Sequence, residues 1–105
     1  MTTELTFSSD EQADRTVLFV AGDIDMQTSP GLRAQVDDLD VAHRTLVLDL
    51  AGVEFVDSSG LGSLLGIKKQ QDRAGGRLLL ARVPAPVARI IEITKMDRVF
   101  DHADA

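Results

Sequence analysis

The protein has 105 residues, a length that fits one folding domain, and it contains no cysteine, which excludes disulfides. Its net charge of −6 disfavours nucleic acid and anionic lipid as partners and favours a protein partner with a basic face. No stretch approaches the roughly 20 apolar residues of a membrane span, and the N-terminal segment lacks a secretory signal pattern, so we predict a cytoplasmic protein that does not bind membranes.

The first half of the chain is predicted to form two strands and a helix. Residues 4–8 have the pattern of a short edge strand, and the polar stretch 8–15 that of a turn. The continuous apolar run 16–22 predicts a buried central strand that ends at a glycine. After a loop, Ser29 precedes a proline, which predicts an N-cap and an amphipathic helix over about 30–41.

The second half repeats the alternation of apolar strands and helices. The predicted elements are a buried strand over 45–50, a short extended piece over 53–56, a helix over 58–73, a strand over 77–83, a helix over 86–95, and a turn with a last short strand over 95–100. This order predicts a small α/β domain with a central mixed sheet of four to five strands and helices packed mainly on one side.

The segment VDSSGLGSL (56–64) carries an acid and two hydroxyls at the point where a strand gives way to a helix. The two hypotheses are a helix cap and a chemical target. A capping serine is common, and we expect one of Ser58 and Ser59 to cap, although the sequence does not decide which. A helix N-terminus also offers free N–H groups to an anion, so a serine there is suited to carry a phosphate.

Three glycines, Gly60, Gly62 and Gly66, fall inside the predicted helix, where each costs up to about 1 kcal/mol relative to alanine. They predict close packing, either of the helix on the sheet or of a partner on the helix. Their spacing fits neither a dinucleotide-binding nor a Walker loop. Because no GxSxG elbow or useful base accompanies the serines, we predict no enzyme activity. The isolated His43 and His102 predict no metal site, and we expect no cofactor.

A longer stretch, LVLDLAGVEFVDSSGLGSLLG (46–66), resembles the STAS domain of bacterial anti-sigma factor antagonists, which also occurs at the cytoplasmic end of sulphate transporters. The uninterrupted D-S-S-G-L-G core is the most specific part of the likeness. GDIDMQTSP (22–30) is similar to the Gly-x-x-Asp loop of the family, and residues 74–100 resemble its C-terminal half. The resemblance implies one STAS domain over residues 1–105, with the C-terminal helix of the family short or absent.

The resemblance also implies a function in partner switching. In the antagonists the serine after the motif aspartate is phosphorylated, which is Ser58 here. The expected partner is an anti-sigma factor that is also a serine kinase: the unphosphorylated antagonist binds it and frees a sigma factor, phosphorylation ends binding, and a serine phosphatase resets the cycle. The positions expected to shape the site or to bind the partner are Asp25, Asp57, Ser59, Gly60, Leu61 and Gly62.

Two alternatives remain open within the same family. A stressosome scaffold component would carry a similar motif but assemble into a large particle, whereas we expect a monomer or weak dimer. A STAS subunit of a lipid-transport ATPase would be a binding module with no phosphorylation cycle. The intact Asp-Ser-Ser run favours the antagonist over both. A transporter is disfavoured because no membrane segment is attached, which leaves open a domain excised from one.

Overall fold

The structure, a computed structural model, describes residues 4–103. They form five strands and three helices: β1 (Thr6–Glu11), β2 (Arg15–Ile24), α1 (Ser29–Asp37), β3 (Thr45–Val56), α2 (Ser58–Arg73), β4 (Arg77–Ala81), α3 (Ala85–Ile93) and β5 (Asp101–His102). No helix in this described part is both long and apolar enough to cross a bilayer.

The strands form one mixed sheet in the order β1-β2-β3-β4-β5. β1 pairs antiparallel with β2, and every later neighbouring pair is parallel. Each parallel pair is joined through one helix, and the strand order always advances in the same direction. Right-handed crossovers then place all three helices on one face of the sheet.

The burial pattern of the strands agrees with a single helix layer. In β3, Leu46, Leu48 and Leu50 belong to the main core, whereas the intervening Val47 and Asp49 point to the other face. The helices contribute Leu32, Val36, Leu61, Leu64, Ile67, Val87 and Ile91 to the same core. The predicted α/β fold, with its mixed sheet and one-sided helices, is therefore confirmed.

Several predicted boundaries were wrong. β1 extends to Glu11 through residues that were predicted as a turn, because pairing with β2 supplies the hydrogen bonds that polar edge residues need. β3 is one continuous strand over Thr45–Val56 rather than two pieces. α1 ends at Asp37, although Leu39 and Val41 pack on the core from the following loop and so extend the apolar spacing beyond the helix.

Register shifts between β2 and β3 accompany two differences from the prediction: β2 runs past its predicted end, and the two predicted pieces of β3 form one strand. The shifts lie between Phe19 and Ala21 and between Gly22 and Asp23. Gly22 has φ +114°, which favours glycine, and it lies within the strand rather than ending it. The irregular pairing carries the C-terminal ends of β2 and β3 together to one edge of the sheet, where α2 begins.

Candidate functional site

The candidate site lies at the C-terminal edge of the sheet, where β2 and β3 end beside each other. Ile24 and Val56 are Cα partners at the ends of these parallel strands. The backbone N–H of Asp57 donates to the carbonyl oxygen of Ile24 at 3.1 Å, so the first residue after β3 is tied to the last residue of β2. The loop after β2 and the N-terminus of α2 are therefore neighbours.

Asp57 is the N-cap of α2. Its backbone is extended (φ −94°, ψ −174°), and its Oδ1 accepts a hydrogen bond from the N–H of Gly60 at 2.8 Å. The prediction that one of the serines caps the helix was wrong, because the aspartate directly before them takes that position. A carboxylate at a helix N-terminus is also favoured by the helix dipole.

Ser58 and Ser59 are the first two residues of α2, and both are exposed. Neither hydroxyl forms a side-chain hydrogen bond with another of residues 4–103. The first N–H groups of a helix have no intrahelical acceptor, and Asp57 takes only that of Gly60. The corner thus presents two accessible hydroxyls beside backbone donors that remain available to an anion.

The glycines of α2 have different surroundings. Gly60 is buried, and a Cβ there would overlap the carbonyl oxygen of Ile24 and lie 2.9 Å from its Cγ2. Leu61 packs in the core. Because Gly60 and Leu61 are both buried, they shape the site through the position of α2 and not through direct contact with a partner. Gly62 is exposed with open space around it, and Gly66 lies under the guanidinium of Arg33 from α1. The helix therefore uses glycine once against the sheet, once beneath a neighbouring side chain and once on an uncovered surface.

Asp25 organises the turn that follows β2. Its Oδ1 accepts from the N–H of Gln27 at 2.9 Å, from the N–H of Thr28 at 3.0 Å and from the Thr28 hydroxyl at 3.2 Å. Ser29, predicted as an N-cap, instead donates its hydroxyl to the carbonyl oxygen of Asp25 while lying inside the first turn of α1. The half-buried Asp25 carboxylate therefore shapes its own loop.

Two large apolar side chains at this corner were not identified from the sequence. Met26, at the tip of the Asp25 turn, is 72% exposed, and Phe55, close to the end of β3, is 48% exposed. Phe55 is the Cα partner of Asp23 on β2, so it lies at the C-terminal edge of the sheet. In the sequence it precedes Ser58 by three residues. The exposure of Met26 could have been predicted, because it lies within the polar segment DMQT. That of Phe55 could not, because its outward orientation depends on the strand register.

The cap makes a testable contribution to stability. We expect Asp57→Ala to lower the free energy of unfolding by about 1 kcal/mol, the usual cost of losing an N-cap side chain. Asp57→Asn should retain most of that stability, because asparagine caps nearly as well as aspartate. Urea denaturation of the three proteins measures both effects, and an alanine variant as stable as the wild type would contradict the capping role.

Comparison with known proteins agrees with this geometry. Residues 6–105 match the model of the STAS domain family. The chain is 34% identical to the anti-sigma F factor antagonist of Paenibacillus polymyxa, over 82% of this chain and 77% of the relative. It is 32% identical to the anti-sigma-B factor antagonist of Bacillus subtilis, over 78% of this chain and 75% of the relative.

A solved structure gives the same result for the fold. The crystal structure of an anti-sigma factor antagonist from Mycobacterium paratuberculosis superposes with a TM-score of 0.82 at 26% identity, and the match covers 96% of this chain and 86% of that one. The chain therefore belongs to the STAS domain family, among the anti-sigma factor antagonists.

Proposed function

We propose that this protein releases a sigma factor by binding an anti-sigma factor that is also a serine kinase, and that phosphorylation of Ser58 ends the binding. A serine phosphatase would restore the active form. The role is regulatory rather than catalytic, and the protein would act in the cytoplasm as one STAS domain over residues 1–105, as a monomer or weak dimer without a cofactor. The similarity to named anti-sigma factor antagonists supports this proposal.

The main support for the proposal is that Asp57 and Ser58 have different roles at the start of α2. Asp57 already caps α2, so the Ser58 hydroxyl is not needed to hold the helix. It is exposed on the first turn, where a kinase can reach it and where free backbone N–H groups stabilise an added phosphate. Modification at this position would leave the cap and the core contacts of the helix intact.

The surroundings of Ser58 favour a switch that acts on a partner. Asp23 is the last residue but one of β2, Asp25 follows β2 and Asp57 follows β3, so carboxylates already collect at this edge of the sheet. Met26 and Phe55 add apolar surface of the kind that anchors protein interfaces. A partner that covers this corner would meet an acidic and apolar surface, and a phosphate would add negative charge within it.

Phosphate transfer followed by mass spectrometry tests the proposal. The purified protein is incubated with ATP and a candidate anti-sigma factor kinase from the source cell, and the modified residue is located by fragmentation. We expect phosphate on Ser58, none in Ser58→Ala, and wild-type incorporation in Ser59→Ala. Phosphate mainly on Ser59 would overturn the assignment, and no incorporation with any binding anti-sigma factor would favour a STAS module without a phosphorylation cycle.

Asp25 offers a second test of the same site. Replacement by alanine removes the acceptor of three hydrogen bonds and should loosen the turn that carries Met26. We expect Asp25→Ala to bind the anti-sigma factor about tenfold more weakly, a change of about 1.4 kcal/mol, and to be phosphorylated more slowly. Asp25→Asn retains the amide oxygen as an acceptor and should lie closer to the wild type. Wild-type binding and phosphorylation by Asp25→Ala would show that the turn serves the fold alone.

A further inference from the structure

Arg33 has an unusual environment on the helix layer. It lies on α1, and its guanidinium covers Gly66 of α2, with Cζ 3.1 Å from the position that a Cβ would occupy there. Its Nε is buried and has no hydrogen-bond partner among residues 4–103. The ion pairs within this part of the chain use Arg15, Lys68, Arg77 and Arg82, and none involves Arg33.

A buried guanidinium nitrogen without an acceptor is costly, because its lost hydration is not replaced. The protein has ample carboxylates to supply an acceptor, with 17 acidic residues against 11 lysines and arginines. Asp37, four residues after Arg33 on α1, forms no ion pair with it and accepts instead from the Gln70 amide at 2.9 Å. The residue as a whole is half-buried, so part of Arg33 is accessible from outside.

The surface of α2 beside Arg33 lacks large side chains. Ser58, Gly62 and Gly66 follow one another at intervals of four residues, and Ser59 precedes Gly62 by three, which places all four along one side of the helix. We call these four residues the α2 strip. Gly62 has no atom within 4 Å of the position of an added Cβ, so the backbone there is open to close approach. The strip runs without interruption from the proposed phosphorylation site to Arg33.

We propose that the anti-sigma factor that contacts Ser58 continues along the α2 strip and places a carboxylate against Arg33. This rests on the proposed function and adds the chemistry of one contact. A carboxylate is the acceptor that pairs most strongly with a guanidinium. It would bind the two terminal nitrogens of Arg33, which form no hydrogen bond within residues 4–103 and are not enclosed as Nε is.

The phosphate itself does not satisfy Arg33. Ser58 and Gly66 are eight residues apart, which corresponds to about 12 Å along the helix axis at about 1.5 Å per residue. A phosphate on Ser58 therefore lies about two turns from the guanidinium above Gly66. Arg33 contributes affinity through the partner, and Ser58 switches that affinity from the other end of the same surface.

Binding measurements with the purified anti-sigma factor kinase that phosphorylates the wild-type chain test the inference. We expect Arg33→Gln to bind at least about tenfold more weakly, with Arg33→Lys intermediate. Added salt should weaken the wild type more than Arg33→Gln, because only the wild type keeps the ion pair. Arg98→Gln removes the same charge from an exposed loop before β5 and should bind like the wild type. Binding of Arg33→Gln within twofold of the wild type would overturn the inference.

A second pair of variants tests the strip without touching Arg33. Gly62→Gln adds a good helix former to open space, so it should fold normally and yet bind at least about tenfold more weakly because it obstructs the partner. Ala42→Gln is the control, since Ala42 is exposed in the turn between α1 and β3, at the opposite end of the sheet from Ser58. Equal binding by both variants would show that the partner does not cover the strip.

The outcome separates this inference from the proposed function. If Ser58→Asp loses binding while Arg33→Gln and Gly62→Gln keep it, the switch stands and the extended contact is rejected. If Ser58→Asp binds like the wild type, the switch itself is rejected. Circular dichroism and thermal unfolding are measured for every variant. Only variants whose melting temperature is equal to or above that of the wild type are compared, so misfolding is excluded as the cause of lost affinity.

Discussion

Ser58→Asp is expected to keep the fold and to lose more than a hundredfold in affinity for the anti-sigma factor. The fold should persist because the Ser58 side chain is exposed and because Asp57, not Ser58, caps α2. A carboxylate on the first turn is also favoured by the helix dipole, by about 0.3–1 kcal/mol at an exposed site. The substitution therefore changes the surface without removing a contact that holds the structure.

The loss of affinity follows from charge at the interface. Phosphorylation adds about −1.5 to −2 charges at neutral pH, and aspartate reproduces part of this. The charge appears beside Asp57 in a domain that already carries −6. Like charges brought together at an interface cost several kcal/mol, and 3 kcal/mol corresponds to more than a hundredfold at about 1.4 kcal/mol per factor of ten.

Isothermal titration calorimetry measures the affinity for the anti-sigma factor, and circular dichroism shows whether the fold is retained. Ser58→Ala should bind like the wild type and resist phosphorylation. Gln12→Glu is the matched control, because it adds the same charge in the exposed turn between β1 and β2, at the opposite end of the sheet. Tight binding by Ser58→Asp would show that charge at this corner is not the switch, and a disordered spectrum would show that the effect operates through the fold.

The order of strands and helices could be predicted because each one leaves a local pattern. Uninterrupted apolar runs identify β2, β3 and β4, and one-sided spacing identifies α1 and α2. The continuity of β3 could not be predicted in the same way. Ala51 and Gly52 have the composition of a turn, and only pairing with β2, through a register shift, keeps them in the strand.

The candidate site was predictable in location but not in geometry. The change from strand to helix at VDSSGLGSL identified the corner, yet Asp57, Ser58 and Ser59 are all good N-cap residues, and a shift of one position decides which of them caps. Arg33 illustrates a stronger limit. Arg33 and Gly66 lie on different helices and are 33 positions apart in the chain, so no local sequence pattern predicts their contact.

Gly60→Ala is expected to destabilise the protein by about 2–3 kcal/mol, the largest stability change among the variants considered. The added methyl group would overlap the carbonyl oxygen of Ile24 and crowd its Cγ2 at 2.9 Å. Ile24 cannot retreat easily, because that same oxygen accepts the hydrogen bond from Asp57 N–H at 3.1 Å, and the Ile24 side chain is fully buried. Overpacking of this kind costs about 1–3 kcal/mol and occasionally more.

The opposing effect is the better helix propensity of alanine, up to about 1 kcal/mol, so packing should dominate at this position. Gly62→Ala isolates the propensity effect, because its methyl group enters open space two residues along the same helix. We expect the melting temperature to fall by about 10 °C or more in Gly60→Ala and to rise by a few degrees in Gly62→Ala. The same substitution would then change stability in opposite directions on the two sides of α2. A Gly60→Ala protein as stable as the wild type would mean that α2 can move away from β2, in which case the position of Ser58 is not held by the sheet.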